Sequence, residues 1–402
     1  MIWILWHVSV QAQIGFIHGE VWLKNGQKVT GDIRWGIQDA YWIDVFEGRK
    51  KENEVLTHLS ADDIRKLSRQ EASQGIEWGF MNLWENKYPE QVHSFRCRYG
   101  DIKEIQNLGE KLALLSFRDG TQWEIEGTSR EHDVGKRIVL FKEYNLRIKI
   151  SWQEIEKIKF SAVDPSERIT RPNAYPLFGE LQTTQGTYRG YIIWDQEERL
   201  SGDKLDGQNA FGRVSINFGE IAAIQKKEEG AEIQLLTGQN IFLTNHQDVN
   251  KKNKDISVIS FSLGIIRVKW ADFQQLQLEE RPDFPLPLYQ DFPENIPLTG
   301  TIRTHNGNTF SGPMIFDLDE QFGFEMIEGK QKGLLHYVSL EEVAILKRID
   351  QEETNVLLKN GKQLILTDEH DVTDKNWGIL VWQSENRPDY IPWNKVHHIK
   401  LN

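Results

Sequence analysis

The chain has 402 residues, 39% of them apolar and 11% aromatic, enough to bury a core without covalent staples and to exclude disorder. Its formal charge is −12, from 48 Lys and Arg against 60 Asp and Glu, and no basic block interrupts the acidity, which excludes nucleic acid as a partner. Cys97 is the single cysteine, so neither an intramolecular disulfide nor a thiolate zinc cluster is available.

The chain opens MIWILWHVSVQAQIG, a short apolar run followed by Val10 and Ala12 at the positions a signal peptidase reads. Residues 1–12 are therefore expected to be the remnant of a signal peptide, and the protein to be exported to the periplasm or cell surface. The run is too short to span a bilayer and no later segment reaches that length, so no integral membrane segment is expected.

From Gly19 onward one design is used three times. GEVWLKNGQKVTGDIRW, GELQTTQGTYRGYIIW and GTIRTHNGNTFSGPMIF open at Gly19, Gly179 and Gly300, and each has a second glycine seven residues later (Gly26, Gly186, Gly307). An aromatic residue (Trp35, Trp194, Phe316) follows the next glycine (Gly31, Gly190, Gly312) by four, and a further glycine (Gly48, Gly207, Gly329) comes thirteen later. The second half of each unit repeats too: an Asp-Val pair at Asp133, Asp248 and Asp371, then an isoleucine fourteen residues before Trp152, Trp270 or Trp393. Proline-bearing stretches separate the copies and cannot be interior strands. The expected boundaries are 13–162 for the first repeat domain, 163–176 for a linker, 177–279 for the second domain, 280–297 for a Pro-rich linker and 298–402 for the third. The first copy carries an insertion at about 71–92, where function is readily added to a tolerant scaffold.

Within each half-unit, short segments rich in Val, Ile, Thr and aromatics are bounded by NG, DG and QG turns, the signature of hairpins. Each half reads as five strands with one helical turn before the fifth. The half-unit pattern in VWLKNGQKVTGDI and VLLKNGKQLIL resembles the first hairpin of Sm-like and SH3-like small barrels, over about fifteen residues per copy. That resemblance implies an all-β fold of three tandem repeat domains, each a pair of five-stranded SH3-like/Sm-like small barrels. The whole-unit pattern, GxIxTxxGxxxxGxIxWDxxE and then DxLxG, is similar to that of uncharacterised exported bacterial β-repeat proteins, and it brings no activity with it.

The acidic loop WDQEERLSGDKLDG recurs in the third copy as FDLDEQFGFEMIEG. Asp195, Glu197, Glu198, Asp203 and Asp206, and likewise Asp317, Asp319, Glu320, Glu325 and Glu328, are the candidate metal ligands, with calcium the cation that several clustered carboxylates would take. The competing expectation is a solvated loop whose charge blocks edge-to-edge strand pairing. EHDV at Glu131 and Glu369 and HQDV at His246 read as structural turns.

Three near-equivalent acidic loops argue against a catalytic centre, which is needed once, and no catalytic residue is assigned. The expectation is a non-catalytic, multivalent binding or scaffold protein of the cell envelope, with a glycan or another envelope protein as partner. The alternative is a carbohydrate-active or lectin-like protein with its site on the insertion: Trp78, Trp84 and Tyr88 as stacking residues and Glu85 as an acid.

Overall fold

The computed structural model describes residues 15–402 except 53, 75–93, 143–145, 164–174, 281–285, 295 and 385–386, and for 68–74 the backbone alone. The expected signal-peptide remnant lies outside the described residues. The fold is all-β, with one α-helix among the described residues, α1 (Ala61–Gln74).

The first unit contains β1 (His18–Leu23), β2 (Lys28–Trp35), β3 (Val45–Lys50), β4 (Ser94–Arg98), β5 (Ile102–Gly109), β6 (Leu112–Phe117), β7 (Gln122–Glu126), β8 (Ile138–Phe141), β9 (Arg147–Ile150) and β10 (Ile155–Phe160). They form one antiparallel ladder in the order β4-β3-β7-β6-β5-β10-β1-β2-β8-β9. The same nine pairings recur between Phe178 and Leu278 and between Thr299 and Leu401. Single 3-10 turns precede the fifth and tenth strands, as at Tyr99–Asp101 and Trp152–Glu154.

This corrects the expected pairing of strands. A barrel made from one half of a unit needs β2 beside β3, yet β2 pairs with β8 and β3 with β7. Each five-stranded set therefore joins the hairpin of one half to three strands of the other, and the ladders are large antiparallel sheets, not closed barrels. Both hairpins of a unit have similar length and the same alternating pattern, so nothing in the sequence distinguishes the partner within a half from the partner across it.

The repeated glycines mark a close approach between strands. Gly19 faces Gly31 across the β1–β2 pair, and Gly179 faces Gly190 and Gly300 faces Gly312 in the same register. A Cβ on Gly19, Gly179 or Gly300 would lie 2.3 Å from the carbonyl oxygen of Lys159, Gln277 or Lys400 on the adjoining strand. Only a residue without a side chain lets a third strand approach so closely.

The units do not hang as separate beads. Ile265–Arg267 of the second unit pair with Leu335–Tyr337 of the third, which fuses their ladders into one sheet. The first unit packs against both through a continuous apolar core that takes in Tyr191, Ile193 and Ile259 from the second and Phe322 and Phe324 from the third. The second linker also docks: Arg118 donates to the carbonyl of Phe292 at 3.0 Å and lies over the Tyr289 ring, and the Tyr289 hydroxyl donates to the carbonyl of Ile102 at 3.0 Å. In the second and third units only two residues join the strands equivalent to β3 and β4, whereas the first unit has residues 51–93 there. The insertion is thus wider than 71–92, and its described part buries Val55, Leu59 and Leu67 against Ile315, Leu318, Trp377 and Leu380 of the third unit.

Candidate functional site

Two crossovers carry the chain between the five-stranded sets of each unit: the acidic loop, from the second strand to the third, and the Asp-Val loop, from the seventh to the eighth. The acidic loop starts with a tight turn in which the aromatic residue exchanges backbone hydrogen bonds with the residue four later, Trp194 with Glu198 and Phe316 with Glu320. The two residues after the aromatic, Asp195 and Gln196 or Asp317 and Leu318, adopt left-handed φ of 47 to 60°, and the first unit places Gly36 there at 60°.

The Asp-Val aspartate braces one crossover against the other. Asp133, Asp248 and Asp371 each accept a hydrogen bond from the backbone of the facing strand, at Glu47 (2.7 Å), Asp206 (2.7 Å) and Glu328 (2.6 Å). Trp35 and Trp194 donate their indole N–H to the carbonyls of Asp133 (3.0 Å) and Asp248 (2.9 Å). Both tryptophans are wholly buried and present no face to a sugar ring.

The acids do not form solvated loops. Asp195, Asp317, Asp319, Glu320 and Glu325 are buried, and Glu197, Glu198, Asp206 and Glu328 are half-buried. The acid four before the closing glycine does the same work in all three units. One oxygen of Asp44 accepts from the backbone N–H of Ala40 and Tyr41 (both 2.8 Å), one of Asp203 from Arg199 and Leu200 (both 2.8 Å), and one of Glu325 from Gln321 (2.6 Å) and Phe322 (3.0 Å). The other oxygen then takes a cation from a different unit: Arg199 for Asp44, Arg34 for Asp203 and Lys50 for Glu325. The first and second units are therefore fastened reciprocally, each giving an arginine to the other's loop. Glu328 is bound in the same way by Arg96 of the first unit.

Behind these clamps lies a second group of carboxylates with few partners. Burial, and then the charges of Asp133 and Asp44, push Asp39 well above the usual carboxylate range. Burial, and then Asp248 and Asp195, push Glu198 up to about 10, and burial is also the main cause that raises Asp195 to about 6. In the third unit burial raises Glu320, with Asp319, Asp371 and Asp317 adding to it. Asp317, His370 and Asp371 can each offer one atom to a common ion, with those atoms within 4.8 Å of one another. The structure thus separates the ten acidic candidates: Asp203 and Glu325 clamp, Glu197 pairs with Lys254, Glu328 with Arg96, Asp206 meets Asp248 through its backbone N–H, and Asp195, Glu198, Asp317, Asp319 and Glu320 cluster beside an Asp-Val aspartate. The candidates on the insertion, Trp78, Trp84, Glu85 and Tyr88, lie outside the described residues.

Where the three units meet there is a cleft of about 750 Å³, lined by Arg96, Arg130, Arg137 and Glu131 of the first unit, Lys254 and Arg267 of the second, and Tyr337 of the third, among others. Its basic and acidic groups are balanced, and several pair with each other: Arg267 reaches Glu131 at 3.4 Å and Asp255 at 3.2 Å. Its residues come from distant parts of the chain, and no spacing in the sequence marks them. No protein family, curated protein or solved structure matches the chain in the comparisons made.

Proposed function

We propose that the protein is a non-catalytic binding scaffold of the cell envelope, exported to the periplasm or surface, and that its ligand-binding surface is the cleft at the junction of the three units. The observation that carries this reading is the cleft's composition: about 750 Å³ of space walled by guanidinium, ammonium and carboxylate groups held on rigid strands and crossovers. Such a wall suits a polar ligand with hydroxyls and both signs of charge, such as an amino-sugar glycan or a peptide segment of another envelope protein, because ion pairs in the wall can exchange for ligand contacts. Buried clamps between units favour a preorganised surface, which lowers the ordering cost of binding.

Arg130 and Arg137 are exposed on the cleft wall. Calorimetric titration of the full chain with soluble cell-wall glycan fragments and with envelope-derived peptides is expected to give binding that weakens at least tenfold in the Arg130→Ala/Arg137→Ala double variant. Binding that survives this change but disappears on deletion of 75–93 would move the site to the insertion. No binding to any of these ligands would leave the protein a spacer and defeat the reading.

A further inference from the structure

The crossover clusters of the first and third units differ in how their charge is met. In the first unit the position after the aromatic is Gly36, and the cluster of Asp39 and Asp133 holds an ammonium of the chain itself: Lys136 Nζ lies 2.9 Å from Asp133 Oδ1 and feels the charge of Asp39. The third unit has Asp317 instead of the glycine and Asp374 at the position corresponding to Lys136. The second unit carries both, Asp195 after the tryptophan and Lys251 at the lysine position, so the third unit alone has the added carboxylate without the lysine.

The cluster of the third unit is only partly satisfied from within. Asp317 Oδ1 accepts from the backbone of Trp377 and Asp371 Oδ2 from Glu328, which fixes both carboxylates on the crossovers. His370 Nδ1 lies 2.6 Å from Asp317 Oδ2. Glu320, 6% exposed, stands against Asp319, Asp371 and Asp317, and beyond its contact with the Asp319 carboxyl its Oε2 meets no hydrogen-bond partner. Asp319 and Asp371 also face His370, while Lys50 is committed to Glu325 and the carbonyl of Asp319, and Arg96 to Glu47 and Glu328. An unpartnered carboxylate oxygen in so buried a place is costly unless a cation or a proton meets it.

The geometry points to a divalent-cation site at Asp317, His370 and Asp371, with Glu320 beside it, selective for a first-row ion, Zn2+ before Mn2+, over calcium. An imidazole nitrogen suits such ions and is a poor ligand for calcium, which takes oxygen only. Ligand atoms of these three residues, within 4.8 Å of one another, need to close by up to about 1.5 Å to reach tetrahedral spacing. The side chain of His370 is 33% exposed and gives the ion a way in, while the other donors are held from behind. The site is independent of the cleft between units and of what that cleft binds.

The test is titration of the untagged full chain with Zn2+, Mn2+ and Ca2+ separately, with Co2+ as an absorbing reporter. The expected result is one equivalent of Zn2+ bound with a raised melting temperature, a Co2+ visible spectrum of low-symmetry N/O ligation, and affinity that falls at least tenfold in His370→Gln. Asp195→Asn, in the second unit, is expected to leave these readouts unchanged. Asp317→Asn abolishes binding if it folds, and His370→Gln decides the matter if it does not. No saturable Zn2+ or Mn2+ binding by the folded chain, binding that His370→Gln leaves intact, or tighter binding of Ca2+ than of Zn2+ overturns the inference.

Discussion

Arg199 of the second unit and Asp44 of the first are both wholly buried, with the guanidinium Nε 3.1 Å from Asp44 Oδ1 and Nη2 3.0 Å from the same oxygen. Removing one partner of such a pair leaves an uncompensated buried charge, which costs about 3–5 kcal/mol. The reciprocal pair, Arg34 with Asp203, is 15% and 16% exposed and makes two hydrogen bonds of 2.6 and 2.8 Å, so losing it costs about 1.5–3 kcal/mol. Arg199→Ala is therefore expected to lower stability more than Arg34→Ala. The double variant should split a single calorimetric transition in two, as the first unit loosens from the others. Equal effects of the two single variants, or one unchanged transition in the double variant, would show that the apolar core alone joins the units.

His336 lies on the seam between the second and third units, opposite Ile266, and is fully buried. Burial pushes its pKa down to about 4, which a contact with the carbonyl of Leu263 only partly offsets. The folded state thus prefers the neutral ring, and the unfolded chain protonates near pH 6.5. Stability is complete above that value and falls as pH drops from about 6.5 to about 4, by about 3 kcal/mol from this residue. Urea midpoints measured across that range should fall less steeply in His336→Phe than in the unaltered chain; parallel slopes would refute the assignment.

Glu198 carries the opposite sign. A carboxyl raised to about 10 takes up a proton on folding at neutral pH, and its favourable contribution is lost as pH rises from about 4.5 through 10. Glu198→Gln presents a neutral group of the same shape, so it should melt higher than the unaltered chain at pH 8 and by a smaller margin at pH 5. A lower melting temperature at both pH values would mean that the ionised form is the one the fold holds.

How far these relationships could be read in the sequence depends on their range. The threefold spacing of Gly19, Gly31, Trp35 and Gly48 and their counterparts marks the strands and the tight turns, because each follows from a local requirement of twist, left-handed φ or close approach. The exchange of hairpins between halves was not legible, since β2 meets β8 and β3 meets β7 through partners about a hundred and about seventy-five residues away whose alternation is the same as that of nearer strands. The acids were legible as a repeat but not as inward-facing. Charge and spacing alone do not distinguish Asp203, which accepts two backbone N–H groups and an arginine from another unit, from a carboxylate in water.

Gly264 shows how narrow the tolerance at the seam is. Its φ is +74° and a Cβ there would lie 2.3 Å from the carbonyl oxygen of Tyr337, the residue whose ladder neighbour is Ile265. Left-handed φ costs a residue with a Cβ about 1–2 kcal/mol, and the contact with a backbone oxygen cannot be relieved by a side-chain rotation. Gly264→Val adds a branched Cβ, which left-handed backbone tolerates least, so it should destabilise by more than that backbone term alone. The strands at the seam, Gly264–Val268 and Leu334–Ser339, should then separate before the rest of their ladders. Amide exchange resolves this: faster exchange confined to Ile265–Arg267 and Leu335–Tyr337 is the expected result. Uniform acceleration through both units would mean instead that the seam and the unit cores unfold as one.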